Sequence, residues 1–195
     1  MKKDKKEIES ICPANQKEWR EWLELNHSKK ESVWLIIHKK DTLSANISWS
    51  QAVDIALCFG WIDSIKRTID SEKYKQFFGR RKVVSTWSKI NKQKIKTLIE
   101  SGQMTDTGFR SIEEAKANGS WSILDEVEAL IIPDDLQREF SKYPDSMDYF
   151  LALSNVTKKR LLQWVVLAKR TETRHYRIAE IAENAGQKIK PKQFR

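Results

Sequence analysis

The sequence predicts an α+β fold: a small three-strand sheet packed with helices, followed by an all-helical C-terminal module. Three observations carry this. Over roughly the first 120 residues, stretches with helical apolar spacing alternate with three short strand-like runs. Beyond Pro133 every apolar stripe keeps the helical period and no strand-like run returns. Glycines then punctuate the ends of the longer stripes. The expected organisation is an α+β domain over 1–125, a helical module over 126–187 and a basic tail over 188–195. The tail is expected to be disordered.

Each element has a local reason. Asn15 and Glu18 form a capping pair ahead of Trp19, Trp22 and Leu23, which predicts a helix over about 15–27 with a buried tryptophan face. VWLIIH (33–38) is short, β-branched and continuously apolar, so it is expected to be a strand covered on both faces. KKDTLSANIS (39–48) reads as a loop. Ser48 and Gln51 make a second capping box before the stripe Trp49, Ala52, Val53, Ala56 and Leu57. Gly60 falls where that helix needs a left-handed residue to stop. WIDSIKRTI and YKQFFGRR then read as two strands joined at Asp70–Lys73. STWSKINKQKIKTLIESG predicts a helix with Trp87, Ile95, Leu98 and Ile99 inward and lysines outward, and a further helix spans about 105–117. In the second half, helices are expected around Leu136 and Phe140, around Met147, Phe150 and Leu151, and along Leu161, Trp164, Val165 and Ala168. A fourth carries Ile178, Ala179 and Ala182 and is expected to stop at Gly186.

Composition narrows the function classes. The chain has 39% hydrophobic and 32% charged residues, and no apolar run approaches the ~18 residues of a membrane helix. The charged amino terminus lacks the apolar stretch of a signal peptide, so a cytoplasmic location is expected. Cys12 and Cys58 are too few for a disulfide framework or a zinc knuckle. No phosphate-binding glycine loop, GxSxG, HExxH or CxxC is present, and His27, His38 and His175 lack metal-ligand spacing, so no cofactor and no metal is expected. The net charge of +9 is unevenly placed. Lys73 to Ile99 holds nine basic residues and no acid, and Ser154 to Ala179 holds a second basic block. Ile123 to Asp148 is acidic. Such polarity points to an anionic partner: nucleic acid, phosphate or a membrane surface.

Candidate site residues cluster after Gly60. Asp63 follows a helix C-terminus and shares strand parity with Trp61 and Ile65, so it is expected half-buried. Arg67, four residues on, is its expected ion-pair partner. Asn91 lies between Trp87 and Ile95 on a face that should be apolar, and needs partners for both ends of its amide. Trp87 and Ser88 open a helix whose free N–H groups form a modest anion site beside Arg80 and Arg81. His175 is expected on the apolar side of the last helix.

ALCFGWIDS, FFGRR, TWSKIN and EEAKANGSW, with FLALSNVTKKRLLQWVVLAKRTETRHYRI in the second half, resemble the YdeI/OmpD-associated or bacteriocin-protection family over about 15–185. By position the resemblance points to Gly60, Trp61, Asp63, Arg80, Arg81, Trp87, Ser88 and Asn91. In the second module it points to Trp164, Ala168, Lys169, Arg170, Glu172, Thr173, Arg174, Arg177 and Ile178. One departure stands out: relatives usually carry a proline before the arginine pair, where this chain has Phe78-Gly79. The resemblance implies a bacterial protein linked to bacteriocin or antimicrobial-peptide protection and stress tolerance, with no reaction attached. Three readings follow. One is a non-enzymatic cytoplasmic protein binding an anionic or membrane-associated partner. The second is a nucleic-acid-binding protein using the 73–99 basic block. The third is a small-molecule enzyme or sensor with Asp63 and Asn91 in a tryptophan-lined pocket.

Overall fold

The computed structural model describes residues 7–39 and 46–195; most of the 39–48 segment read as a loop lies outside them. The described residues are α+β and fall into two compact units, one ending at Trp121 and one running from Ser122 to Arg195. In the first unit, in chain order, come β1 (Ser10–Ile11), α1 (Gln16–Asn26), β2 (Ser32–His38) and α2 (Trp49–Cys58). They are followed by β3 (Trp61–Thr68), β4 (Lys73–Arg80), α3 (Lys89–Glu100) and α4 (Asp106–Ala117). The sheet has four strands in the order β1-β2-β4-β3, not three. The extra strand, β1, has two residues paired in parallel with Trp34 and Leu35, too short to show an alternating pattern.

Capping chemistry sets the helix starts. The Asn15 side chain accepts from the Glu18 N–H, and Ser48 with Gln51 makes a full capping box. Ser88 and Thr105 cap α3 and α4 in the same way. The turn between β3 and β4 is fixed by the Asp70 carboxylate, which accepts from the backbone N–H groups of Glu72 and Lys73.

Strand parity sorts the sheet. Val33, Leu35 and Ile37 of β2 and Phe78 of β4 join Trp19, Leu23, Leu57 and Trp61 in the first core. The opposite face, with Trp34, Ile36, Lys75 and Phe77, contributes nothing to that core, so β2 is not covered by apolar packing on both faces. β3 carries a bulge: Asp63 pairs with Phe78 and Lys66 with Gln76, leaving two residues opposite Phe77 alone. The expected shared face of Asp63, Ile65 and Arg67 is therefore broken. Ile65 is exposed, and Arg67 lies over the Trp34 ring, 5.1 Å from its centroid, instead of pairing with Asp63. Ile99 is likewise exposed, while Ile95 and Leu98 are buried.

The second unit is all-helical: α5 (Asp125–Glu128), α6 (Asp134–Phe140), α7 (Ser146–Ala152), α8 (Asn155–Val166) and α9 (Thr171–Gly186). Leu136, Phe140, Phe150, Leu161, Val165, Ile178 and Ala182 lead its own core. Gly186 does not stop α9 by a left-handed turn; Lys188 takes that conformation. A Cβ at 186 would lie 2.9 Å from Tyr143 Cβ, so close packing accounts for the glycine. The tail is ordered: Pro191 is buried, Lys192–Phe194 forms a 3₁₀ turn, and the Phe194 ring meets Trp164 edge-on at 5.4 Å. Two apolar residues among the lysines explain this. His175 is exposed, against expectation.

Candidate functional site

The end of α2, the start of β3 and the first turns of α4 meet at Gly60. Its φ is +68°, and a Cβ there would lie 3.2 Å from Ser111 Cβ. Gly60 therefore serves both as the helix stop and as a close-approach point. The Thr105 hydroxyl donates to the Cys58 carbonyl at 2.6 Å, tying α4 to the last turn of α2. Burial pushes the Cys58 thiol up from its ordinary range. The Gly60 carbonyl accepts from the Arg81 N–H at 2.9 Å, which holds the end of β4 against the turn.

A cleft of about 370 Å³ opens beside this junction. Trp61, Arg80 and Arg81 line it, as does a row from α4: Thr107, Arg110, Ser111 and Glu114. That row repeats at helical spacing, and together with the His27–Ser28 loop it is what sequence reasoning missed. TGFRSIEE did carry the signal, a polar stripe on one face of an otherwise apolar-anchored helix.

The three arginines differ. Arg80 is committed to the fold: its guanidinium donates to the carbonyls of His27 (2.9 Å) and Ser28 (2.5 Å) and pairs with Glu31 at 3.1 Å. Arg81 lies on the face of Trp87, 3.7 Å from its centroid, and donates to the Thr86 carbonyl at 2.7 Å. Its Nε is buried and meets no acceptor among the described residues. Burial lowers the Arg81 pKa to about 10, against the opposing pull of the Asp63 charge. Arg110 is exposed at the rim.

The other expected site residues do not line the cleft. The Asp63 carboxylate accepts from Trp49 Nε1 at 2.8 Å and from Gln76 Nε2 at 3.0 Å, so it has two structural donors. Trp87 is buried behind Arg81 and packs on Trp121. Ser88 is engaged as the α3 cap, accepting from the Asn91 N–H at 3.2 Å. The anion site expected at that helix start is thus occupied by its own cap, and Asn91 is half-buried one turn along. In the helical unit, Arg174 forms a two-pronged ion pair with Asp135 at 2.7 and 2.9 Å, which holds the Asp135 carboxyl below its usual range. Arg177 donates to the Trp164 carbonyl at 2.6 Å and lies over its ring. Lys169 and Arg170 are exposed.

Comparison with known families now bears on both units. Residues 11–111 match the model described as a domain of unknown function (DUF8412). The chain belongs to that family. Residues 129–188 match the family described as Bacteriocin-protection, YdeI or OmpD-Associated. The expected YdeI/OmpD-associated family is thus found in the helical unit, while the DUF8412 region holds every lining residue of the arginine cleft but Glu114. No curated protein and no solved structure matches the chain. Among the described residues there is no group of three or more His, Cys, Asp or Glu able to hold a metal, and no helix is long and apolar enough to cross a membrane.

Proposed function

We propose that this is a non-enzymatic cytoplasmic protein of the YdeI/OmpD-associated type. In this reading it supports bacteriocin protection and stress tolerance by holding an anionic group of its partner in the Gly60 cleft. The observation that carries the reading is Arg81: a desolvated guanidinium, its Nε–H without an acceptor, at a cleft that Arg110, Ser28, Thr107 and Ser111 also line. A buried donor left unsatisfied is costly. Arg81 lines the cleft, and an oxyanion there would pair with its guanidinium and reach the buried Nε–H once the side chain shifts towards it. The rigid stack on Trp87 removes the entropy cost of ordering the Arg81 fork. Glu114 on the rim disfavours highly charged anions deep in the cleft and favours a single phosphate or carboxylate near Arg81.

The reading is tested by titration calorimetry with inorganic phosphate and by co-sedimentation with phosphatidylglycerol vesicles. Arg110→Ala, at an exposed position, is expected to weaken binding by about tenfold, the worth of one charge-assisted hydrogen bond, with an unchanged melting temperature. Arg81→Lys should abolish binding because a lysine offers no second planar donor. Binding that is indifferent to both changes, or no binding to either probe, overturns it. Cells carrying Arg110→Ala should survive bacteriocin challenge less well than wild type.

A further inference from the structure

We infer that the sheet face opposite the first core is a platform for single-stranded nucleic acid. It shares no residue with the Gly60 cleft and does not depend on the reading above.

The face is built by register. Trp34 of β2 sits opposite Phe77 of β4, and Ile36 opposite Lys75, which in turn faces Arg67 of β3. The bulge in β3 is what delivers Arg67 here. Trp34 and Phe77 meet edge to face at 5.1 Å, yet neither belongs to an apolar core. Trp34 is nonetheless 8% exposed, because its ring is covered by cations: Arg67 stands 5.1 Å and Lys75 4.8 Å from its centroid. Neither cation is paired with a carboxylate among the described residues. None of the strand positions on this face is an acid, and Lys73, further along β4, is offset by Asp70 of the turn at 3.9 Å.

A large aromatic roofed by two unpaired, flexible cations is an arrangement with a use. The cross-strand pair and its cation–π contacts stabilise the sheet, and the same groups present π-faces and uncompensated charge to a ligand. A base has a π-face that replaces the cations over Trp34 or stacks on half-buried Phe77, and its phosphates take up the displaced Arg67 and Lys75. Charge complementarity selects a polyanion, and the flat aromatic pair selects one that carries exposed bases. Duplexes, whose bases are already stacked, gain only the phosphate contacts.

The test is fluorescence anisotropy of the full chain with labelled oligothymidylate and oligouridylate of about 15 nucleotides, at roughly 50 and 200 mM salt. Wild type is expected to bind one or both, more weakly at the higher salt. Arg67→Glu with Lys75→Glu should weaken binding by tenfold or more and flatten the salt dependence by about one to two in log–log slope. Phe77→Ser should weaken it about tenfold with the salt dependence kept, the signature of lost stacking. Trp34→Leu should do the same, and circular dichroism confirms that each variant is folded. Arg110→Ala, in the cleft, should leave oligonucleotide binding unchanged. The inference is overturned by any of three results: no oligonucleotide binding at the lower salt, a duplex of equal length binding as tightly, or binding untouched by the face variants. Polyglutamate binding with the same variant dependence and no oligonucleotide binding would assign the face to an acidic protein partner instead.

Discussion

Gly60 and Gly108 show how differently two glycines can be constrained. Gly60 is left-handed and tight against Ser111, so Gly60→Ala is expected to destabilise the fold by about 1–3 kcal/mol. Gly108 lies inside α4, where alanine would ordinarily be the better residue. A Cβ at 108 would overlap the Cys58 carbonyl, so Gly108→Ala should also destabilise, against the helix-propensity trend. Urea midpoints of the two variants check both signs; a stabilised Gly108→Ala would mean α4 does not dock as described. Gly60 was legible in the sequence because its reason is local. Gly108 was not, because its reason is a carbonyl on another helix. Asp63 was half legible: that a part-buried carboxylate needs donors follows from its position. That those donors are Trp49 and Gln76 follows only from the fold.

Among the elements, helices announced themselves through caps and stripes, and strands less well. Asn15 and Ser48 each hold the bond their position implied. β1 escaped because two residues carry no period, and β2 misled because an unbroken apolar run hides which face is covered. The join between α6 and α9 makes a prediction of its own. Asp135 is held below its ordinary value of about 4 by Arg174, so its ion pair contributes stability fully above that value. The contribution is lost as pH falls through the depressed value. Asp135→Asn should therefore lower the urea midpoint at neutral pH, and the gap from wild type should narrow as the pH is taken below the ordinary carboxylate value. A gap that persists in acid would assign the loss to packing rather than charge.

For the molecule as a whole, the sequence separated an α+β half from a helical half because strand-like runs cease after Arg81, and the two apolar cores share no residue. The basic blocks were equally plain, but charge counts do not say which cations are free. Arg80, Arg174 and Arg177 are spent on carbonyls and carboxylates, whereas Arg67 and Arg110, which were not singled out for a binding role, are the ones with ends to offer. That distinction is tertiary and no spacing rule supplies it. The β3 bulge bears on how the chain can change length. With two residues facing one, β3 holds a single residue of slack. Removing Ser64 or Ile65 would make the pairing one-to-one and leave Trp61, Asp63, Lys66 and Arg67 on their present faces. Removing Ile62 would put every residue before it out of phase. A Ser64 deletion is therefore expected to melt close to wild type and an Ile62 deletion far below it. An edge strand that pairs with β4 alone can thus shorten at one place without the rest of the protein registering the loss.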